Sequence, residues 1–283
     1  MSGVPLVMTM AGRMSVMQNR DQLRAVACRL AELGVRTARR FFGKAATSRK
    51  ADGTPVTDAD HAAQAAILDT LARERPADAA ITEEVIVRPE RHVAAGAAEY
   101  CWVIDPIDGT RNFGRGLDLW CTSVAVLQAG RPIAGAICDS AGHLYSAIVG
   151  DGVYVDGRPG THLVERPLDA DTTIAVSSPR RSGLSPVVRG WMDRYLYRNV
   201  GSLCLHLAWV ATGLTDAVYA SECKLWDIAA GGLLIEMAGG VVTDHAGRPI
   251  WPLDAGDYHG EDLPILAASP AMHARLLSDL RAK

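Results

Sequence analysis

The segment Trp102-Val103-Ile104-Asp105-Pro106-Ile107-Asp108-Gly109-Thr110 sets two aspartates and the carbonyl of Ile107 around one turn at the end of an apolar run. A strand that delivers Asp105 at its carboxyl end puts it where open α/β sheets keep their ligand crevices, and Pro106 stiffens the turn that brings Asp108 round. Gly109 lets the backbone approach a ligand closely, and the N–H groups of Gly109 and Thr110 can cradle a phosphate if a helix begins there. A plain hydrogen-bonded Asp-Gly turn is the competing explanation. Two aspartates flanking Pro and Ile within one turn favour chemistry over it.

Three further positions can join this pair. Glu83-Glu84 follows an apolar run at 79–81, so Glu83 can also stand at a strand's carboxyl end, although an isolated acidic pair is ordinarily a solvated loop charge. Trp226-Asp227-Ile228-Ala229-Ala230-Gly231 opens a helix on an aspartate whose ordinary role is an N-cap, but the adjoining Trp226 and the small residues through Gly232 point to a helix start pressed against another layer. Thr57 and Asp60 fit the Ser/Thr-x-x-Asp/Glu capping signature; Asp60 can alternatively accept a hydrogen bond from a catalytic threonine or an attacking water. If these carboxylates converge, each pair at ~4 Å repels by about 4 kcal/mol at an effective dielectric of 20, so the cluster requires protonation or bound cations. All-oxygen ligands favour Mg²⁺ over zinc, and two such ions roughly 4 Å apart are suited to in-line attack on a phosphate.

The elements that must position these groups are legible from periodicity. Leu23, Ala27, Leu30, Ala31, Leu33 and Val35 recur at helical spacing, predicting a helix from Asp21 to Phe42 that ends at Gly43. A polar loop through Lys50 to Pro55 leads to a second helix from Thr57 to Glu74, stopped by Pro76, and the two helices should pack together. Short apolar runs at 79–81, 101–104, 122–127, 132–138, 144–149 and 152–155, separated by turns, predict a largely antiparallel sheet. After a strand at 174–177, helices are expected at 185–194, 202–212, 227–238 and 270–280, with strands at 217–219, 241–243 and 263–267, giving a second αβ layer.

Composition narrows the function classes. The 283 residues are 48% hydrophobic, enough for a substantial core and incompatible with a disordered chain. Lys+Arg 29 against Asp+Glu 32 gives a net charge of −3, so no nucleic-acid partner and no membrane-surface partner is expected, and a polyanionic substrate needs cations. No apolar run has the length of a membrane span, and a cytoplasmic location is the expectation. Cys28, Cys101, Cys121, Cys138, Cys204 and Cys223 show no metal-ligand spacing and read as reduced core residues. The histidines, among them His61, His92, His143, His206 and His245, form no HxxxH pairing, which weakens a zinc hydrolase. Residues 1–17 are expected to form a loose extension, and the remainder one continuous domain without repeat or linker.

Taken in order along the chain, Lys50, Pro55-Val56-Thr57-Asp58-Ala59-Asp60, Glu83-Glu84, Asp105 through Phe113, Val200-Gly201-Ser202, Trp226 through Gly231 and Glu236-Met237-Ala238-Gly239-Gly240 resemble the inositol monophosphatase family of Mg²⁺-dependent, lithium-sensitive phosphatases. The resemblance implies a layered αβαβα sandwich, a homodimer and hydrolysis of a small phosphorylated metabolite. It assigns Glu83, Asp105 and the Ile107 carbonyl to one Mg²⁺, Asp105, Asp108 and Asp227 to a second, and a weaker third ion to the neighbourhood of Glu83. It makes Asp60, Thr110 and Glu83 catalytic, gives phosphate to the Gly109 and Thr110 amides, and brings Asp108, Ser202, Leu203, Glu222, Lys224 and Asp227 to the substrate. Two departures mark the substrate side. Leu203 stands where inositol-hydrolysing relatives have alanine, and Ala220 where they have a glutamate that holds ring hydroxyls. Lys224 would then favour a substrate with a second anion, and Glu222 an amine. Inositol, histidinol, fructose 1,6-bisphosphate and 3′-phosphoadenosine 5′-phosphate substrates all remain open, as does a non-catalytic metal- or phosphate-binding regulator.

Overall fold

A computed structural model describes residues 10–44, 47–49, 55–85, 98–179 and 183–282; Lys50 and His92 lie outside them. Helix α1 (Met10–Arg39) buries Leu23, Ala27, Leu30, Ala31, Val35 and Ala38 along one stripe, and α2 (Asp58–Glu74) buries Ala59, Ala63, Ile67 and Leu71 at intervals of four. The two pack on each other and together cover one face of a seven-stranded sheet. Helix α1 starts eleven residues earlier than its apolar stripe predicts, because residues 10–20 include good helix formers and no proline.

The sheet follows the order β3-β4-β5-β6-β7-β8-β9, comprising β3 (Ala79–Thr82), β4 (Cys101–Asp108), β5 (Cys121–Gln128), β6 (Arg131–Asp139), β7 (Leu144–Ile148), β8 (Gly152–Val155) and β9 (Arg158–Pro159). Only β3 and β4 run parallel; every other neighbouring pair is antiparallel. Along β4 the pleat sends Trp102 and Ile104 towards α1 and α2, and Cys101 and Val103 into the opposite core. Both faces are covered, which is why β4 and β5 read as continuous apolar runs rather than alternating ones.

Behind the sheet lie α5 (Leu203–Ala211) and α6 (Leu225–Met237), both almost wholly buried. They approach so closely that a Cβ at Gly231 would stand 2.4 Å from the Leu207 Cβ, the close approach anticipated from the small residues after Asp227. A five-stranded sheet follows, in the order β11-β10-β12-β14-β13: β10 (Thr173–Val176), β11 (Leu196–Arg198), β12 (Ala217–Ala220), β13 (Val241–Thr243) and β14 (Ile265–Ala268). Its outer face is closed by α4 (Pro186–Arg194) and α7 (Pro270–Arg281) through Ile174, Val188, Trp191, Leu266, Met272 and Leu276. The result is the expected αβαβα stack. The short strands β1 (Thr47–Arg49), β2 (Pro55–Thr57), β9 and β11 are not anticipated by the pattern, because each has only two or three residues and no apolar periodicity. None of the six cysteines, all of them among the described residues, is in a disulfide, and all but Cys28 are buried. Among the described residues no helix is long and apolar enough to cross a membrane.

Candidate active site

In a regular strand, Asp105 and Asp108 would point to opposite faces, being three residues apart. Strand β4 avoids this. Asp105 pairs with Ser123 and Asp108 with Cys121, so three steps on one strand match two on its neighbour, and the extra residue is a bulge. Thr122 Oγ1 donates to the displaced Pro106 carbonyl at 2.8 Å, which holds the bulge in place. Gly109 then turns with φ of 100°, and a Cβ there would meet the Leu119 carbonyl at 2.9 Å, so glycine is needed on both counts. A short helix α3 (Thr110–Gly114) follows.

Asp227 reaches the same point from a different layer. Helix α6 begins at Leu225, so Asp227 is not the N-cap but the third helical residue, and its Oδ2 accepts the Lys224 N–H at 2.7 Å. Carboxylate oxygens of Asp105, Asp108 and Asp227 lie within 4.8 Å of one another. Asp105 is 1% exposed, and its Oδ1 has no hydrogen-bond partner among the described residues. Burial, then the negative charges of Glu83, Asp108 and Asp227, push its carboxyl well above the usual range. Burial also raises Asp108, opposed by hydrogen bonds to its Oδ2 from Ser202 Oγ and the Cys204 N–H, both at 2.6 Å. Glu83, in the single turn after β3, lines the same cleft but stands outside the close triad.

Asp60 faces two neighbours at once. Its Oδ2 accepts the Thr57 N–H at 2.8 Å and the Thr57 hydroxyl at 2.6 Å as the α2 capping box, while its Oδ1 lies 3.2 Å from Thr110 Oγ1. Thr110 Oγ1 is also 3.0 Å from the Ile107 carbonyl. The cleft encloses about 380 Å³ and is lined by Glu83, Asp105, Ile107, Asp108, Gly109 and Thr110 on one side and by Ser202, Leu203, Glu222 and Asp227 on the other.

With that geometry in view, the sequence profile of the inositol monophosphatase family matches residues 19–283. The chain belongs to the inositol monophosphatase family. Inositol-1-monophosphatase of Mycobacterium leprae is 32% identical over 271 residues, covering 90% of this chain and 88% of its own. Nus factor SuhB of Salmonella typhimurium strain LT2 is 31% identical over 241 residues, covering 83% and 85%. The crystal structure of extragenic suppressor protein SuhB from Bartonella henselae superposes with a TM-score of 0.78 at 27% identity, over 92% of this chain and 99% of that one.

One residue of this family member departs from expectation. Lys224 does not line the cleft: its Nζ pairs with Asp262 Oδ1 at 2.8 Å and bonds the Gly260 carbonyl, because the chain entering α6 directs the side chain away from the Asp227 carboxylate. Ala220 is fully buried in β12, so no side chain replaces the missing glutamate at that position. Sequence reasoning also passed over Arg111, Arg115 and His206, which line the cleft, and the thiols of Cys121 and Cys204, which lie within 4.8 Å of Asp108. Burial pushes both thiols up, which keeps them neutral beside the carboxylates. Arg111 sits inside a quoted motif and was legible as a cation beside Thr110; His206 and the thiols carry no local signal.

Proposed function

We propose that the chain is a Mg²⁺-dependent phosphatase of small phosphate monoesters, acting in the cytoplasm as a homodimer. The observation that carries this reading is the buried Asp105 carboxylate, with one oxygen unpartnered among the described residues and two more carboxylates against it. Such a donor set fits a hard divalent cation: it is anionic, entirely oxygen, and unfavourable when empty. Glu83, Asp105 and the Ile107 carbonyl would hold one ion, Asp105, Asp108 and Asp227 another, and a third would bind more weakly near Glu83. When bound, the ions supply positive charge to the phosphate and lower the pKa of water.

The chain's own groups then have separate tasks. Asp60 Oδ1 takes the Thr110 hydroxyl proton in a hydrogen bond, which leaves an Oγ1 lone pair to accept one from the attacking water and orient it. The Gly109 and Thr110 amides point the phosphate, and Ser202 with the Cys204 N–H fixes Asp108. A purely regulatory, non-catalytic role is less well supported, because no carboxylate of the proposed set has been replaced. The test is phosphate release from inositol, sugar, nucleotide and histidinol phosphates. Release should require Mg²⁺, fall to background on chelation and be inhibited by Ca²⁺, whose size suits octahedral sites poorly. Turnover that survives exhaustive chelation would overturn the metal reading.

A further inference from the structure

The rim of the cleft carries charge opposite to its floor. Arg111 and Arg115 both line it, both are exposed, and neither guanidinium has a hydrogen bond or ion pair with any described residue. Arg111 lies in α3 and Arg115 is its C-cap, still in right-handed helical backbone conformation, and a spacing of four puts such side chains on the same side. The backbone beneath them is fixed. Phe113 is buried edge-on against Trp120 and Phe42, at centroid distances of 5.0 and 5.3 Å, and Asn112 Nδ2 donates to the Leu119 and Val200 carbonyls, each at 2.6 Å. The turn is therefore held from below while both cations are left for a ligand.

A third donor lines the same cleft. His206 is 1% exposed, and its Nε2 accepts the Val200 N–H at 3.0 Å, which assigns the proton of the neutral ring to Nδ1. That buried Nδ1–H has no acceptor among the described residues. Glu222, the acid on this wall, already has an interaction partner.

We propose that Arg111, Arg115 and His206 form a subsite for a second phosphate, so that the preferred substrate is a bisphosphorylated sugar or nucleoside rather than a neutral polyol monophosphate. Guanidinium groups match phosphate oxygens in planar, paired hydrogen bonds, and a neutral imidazole N–H adds a donor that acidification does not create. Leu203 and Ala220 offer nothing to ring hydroxyls, which removes the competing basis for recognition. This rests on the phosphatase reading above.

The test compares kcat/KM for fructose 1,6-bisphosphate with that for fructose 1-phosphate. Wild type should favour the bisphosphate tenfold or more, and the double variant Arg111→Gln/Arg115→Gln should erase that preference, mainly through KM. A wild-type ratio near one, or a ratio the double variant leaves unmoved, overturns the subsite. Folded His206→Leu should lower the ratio about threefold; an unchanged ratio removes His206 from it. Calorimetric titration of the bisphosphate onto Thr110→Ala, with and without the arginine changes, separates the two readings. Binding that weakens without the arginines, while wild type releases phosphate from no ester, would sink catalysis alone. Equal binding with normal release would sink the subsite alone.

Discussion

The floor and the rim of the cleft lie a few residues apart in sequence yet obey opposite physics. Asp105 and Asp108 are held by a bulged strand and desolvated between two helical layers, where like charges cannot be screened by water. Arg111 and Arg115, on the next turn, face solvent and can remain charged and unpaired at little cost. A buried cluster of one sign is destabilising until a ligand arrives, so it reports a requirement; an exposed pair of the other sign reports a preference. The floor is accordingly where activity should be lost outright, and the rim where only its selectivity should change.

The sharpest way to break this contrast is Asp105→Asn. Losing the carboxylate proposed to serve both metal sites should remove several kcal/mol of transition-state stabilisation and so lower kcat by about a thousandfold. Melting temperature in chelator should hold or rise, since the change relieves repulsion. Thermal melts and turnover measured on one preparation decide it: a large fall in stability with near-normal rate per folded molecule would make Asp105 structural. Thr110→Ala should come next, with kcat down about a hundredfold and KM little moved, as expected for a group that orients water in the transition state. Raised KM at unchanged kcat would assign Thr110 to ground-state binding.

Smaller effects test the wall and the rim. Burial holds His206 down to about 4 from its ordinary 6.5, so the unfolded chain binds the extra proton first. Its contribution is fully present above pH 6.5 and is lost as pH falls towards 4, amounting to about 3 kcal/mol. Denaturant unfolding of wild type and His206→Gln between pH 7 and 4 should show the wild type losing its advantage over that window. Smallest of all, Lys224→Ala should cost less than about 1 kcal/mol, because its Asp262 partner is 36% exposed, and should leave the bisphosphate preference intact. A changed substrate ranking would return Lys224 to the site.

The core was legible wherever local pattern and tertiary burial coincide. The continuous apolar run of β4, the stripe of α2 and its capping box all follow from short-range pattern. The outer edge strand β11 was not, since its three residues are exposed and nothing in its pattern distinguishes it from loop. Within the site, Asp60 was read as either a cap or a catalytic partner; one of its oxygens caps α2 and the other faces Thr110.

By itself the sequence determined which groups can do chemistry: the Asp-Pro-Ile-Asp-Gly-Thr segment supplies two carboxylates, a carbonyl and a hydroxyl, which the bulge against β5 then gathers on one side. Only the tertiary structure decided which distant residues join them. Asp227 and Lys224 are separated by a single turn of one helix, yet the packing of α6 against α5 and the sheet sends the first into the cluster and the second to Asp262. His206 shows the same thing from the other direction, an unremarkable helical residue that lines the cleft because α5 is buried there. Spacing along a chain fixes what neighbours can share, but the direction a side chain takes is set by the layer against which its helix packs.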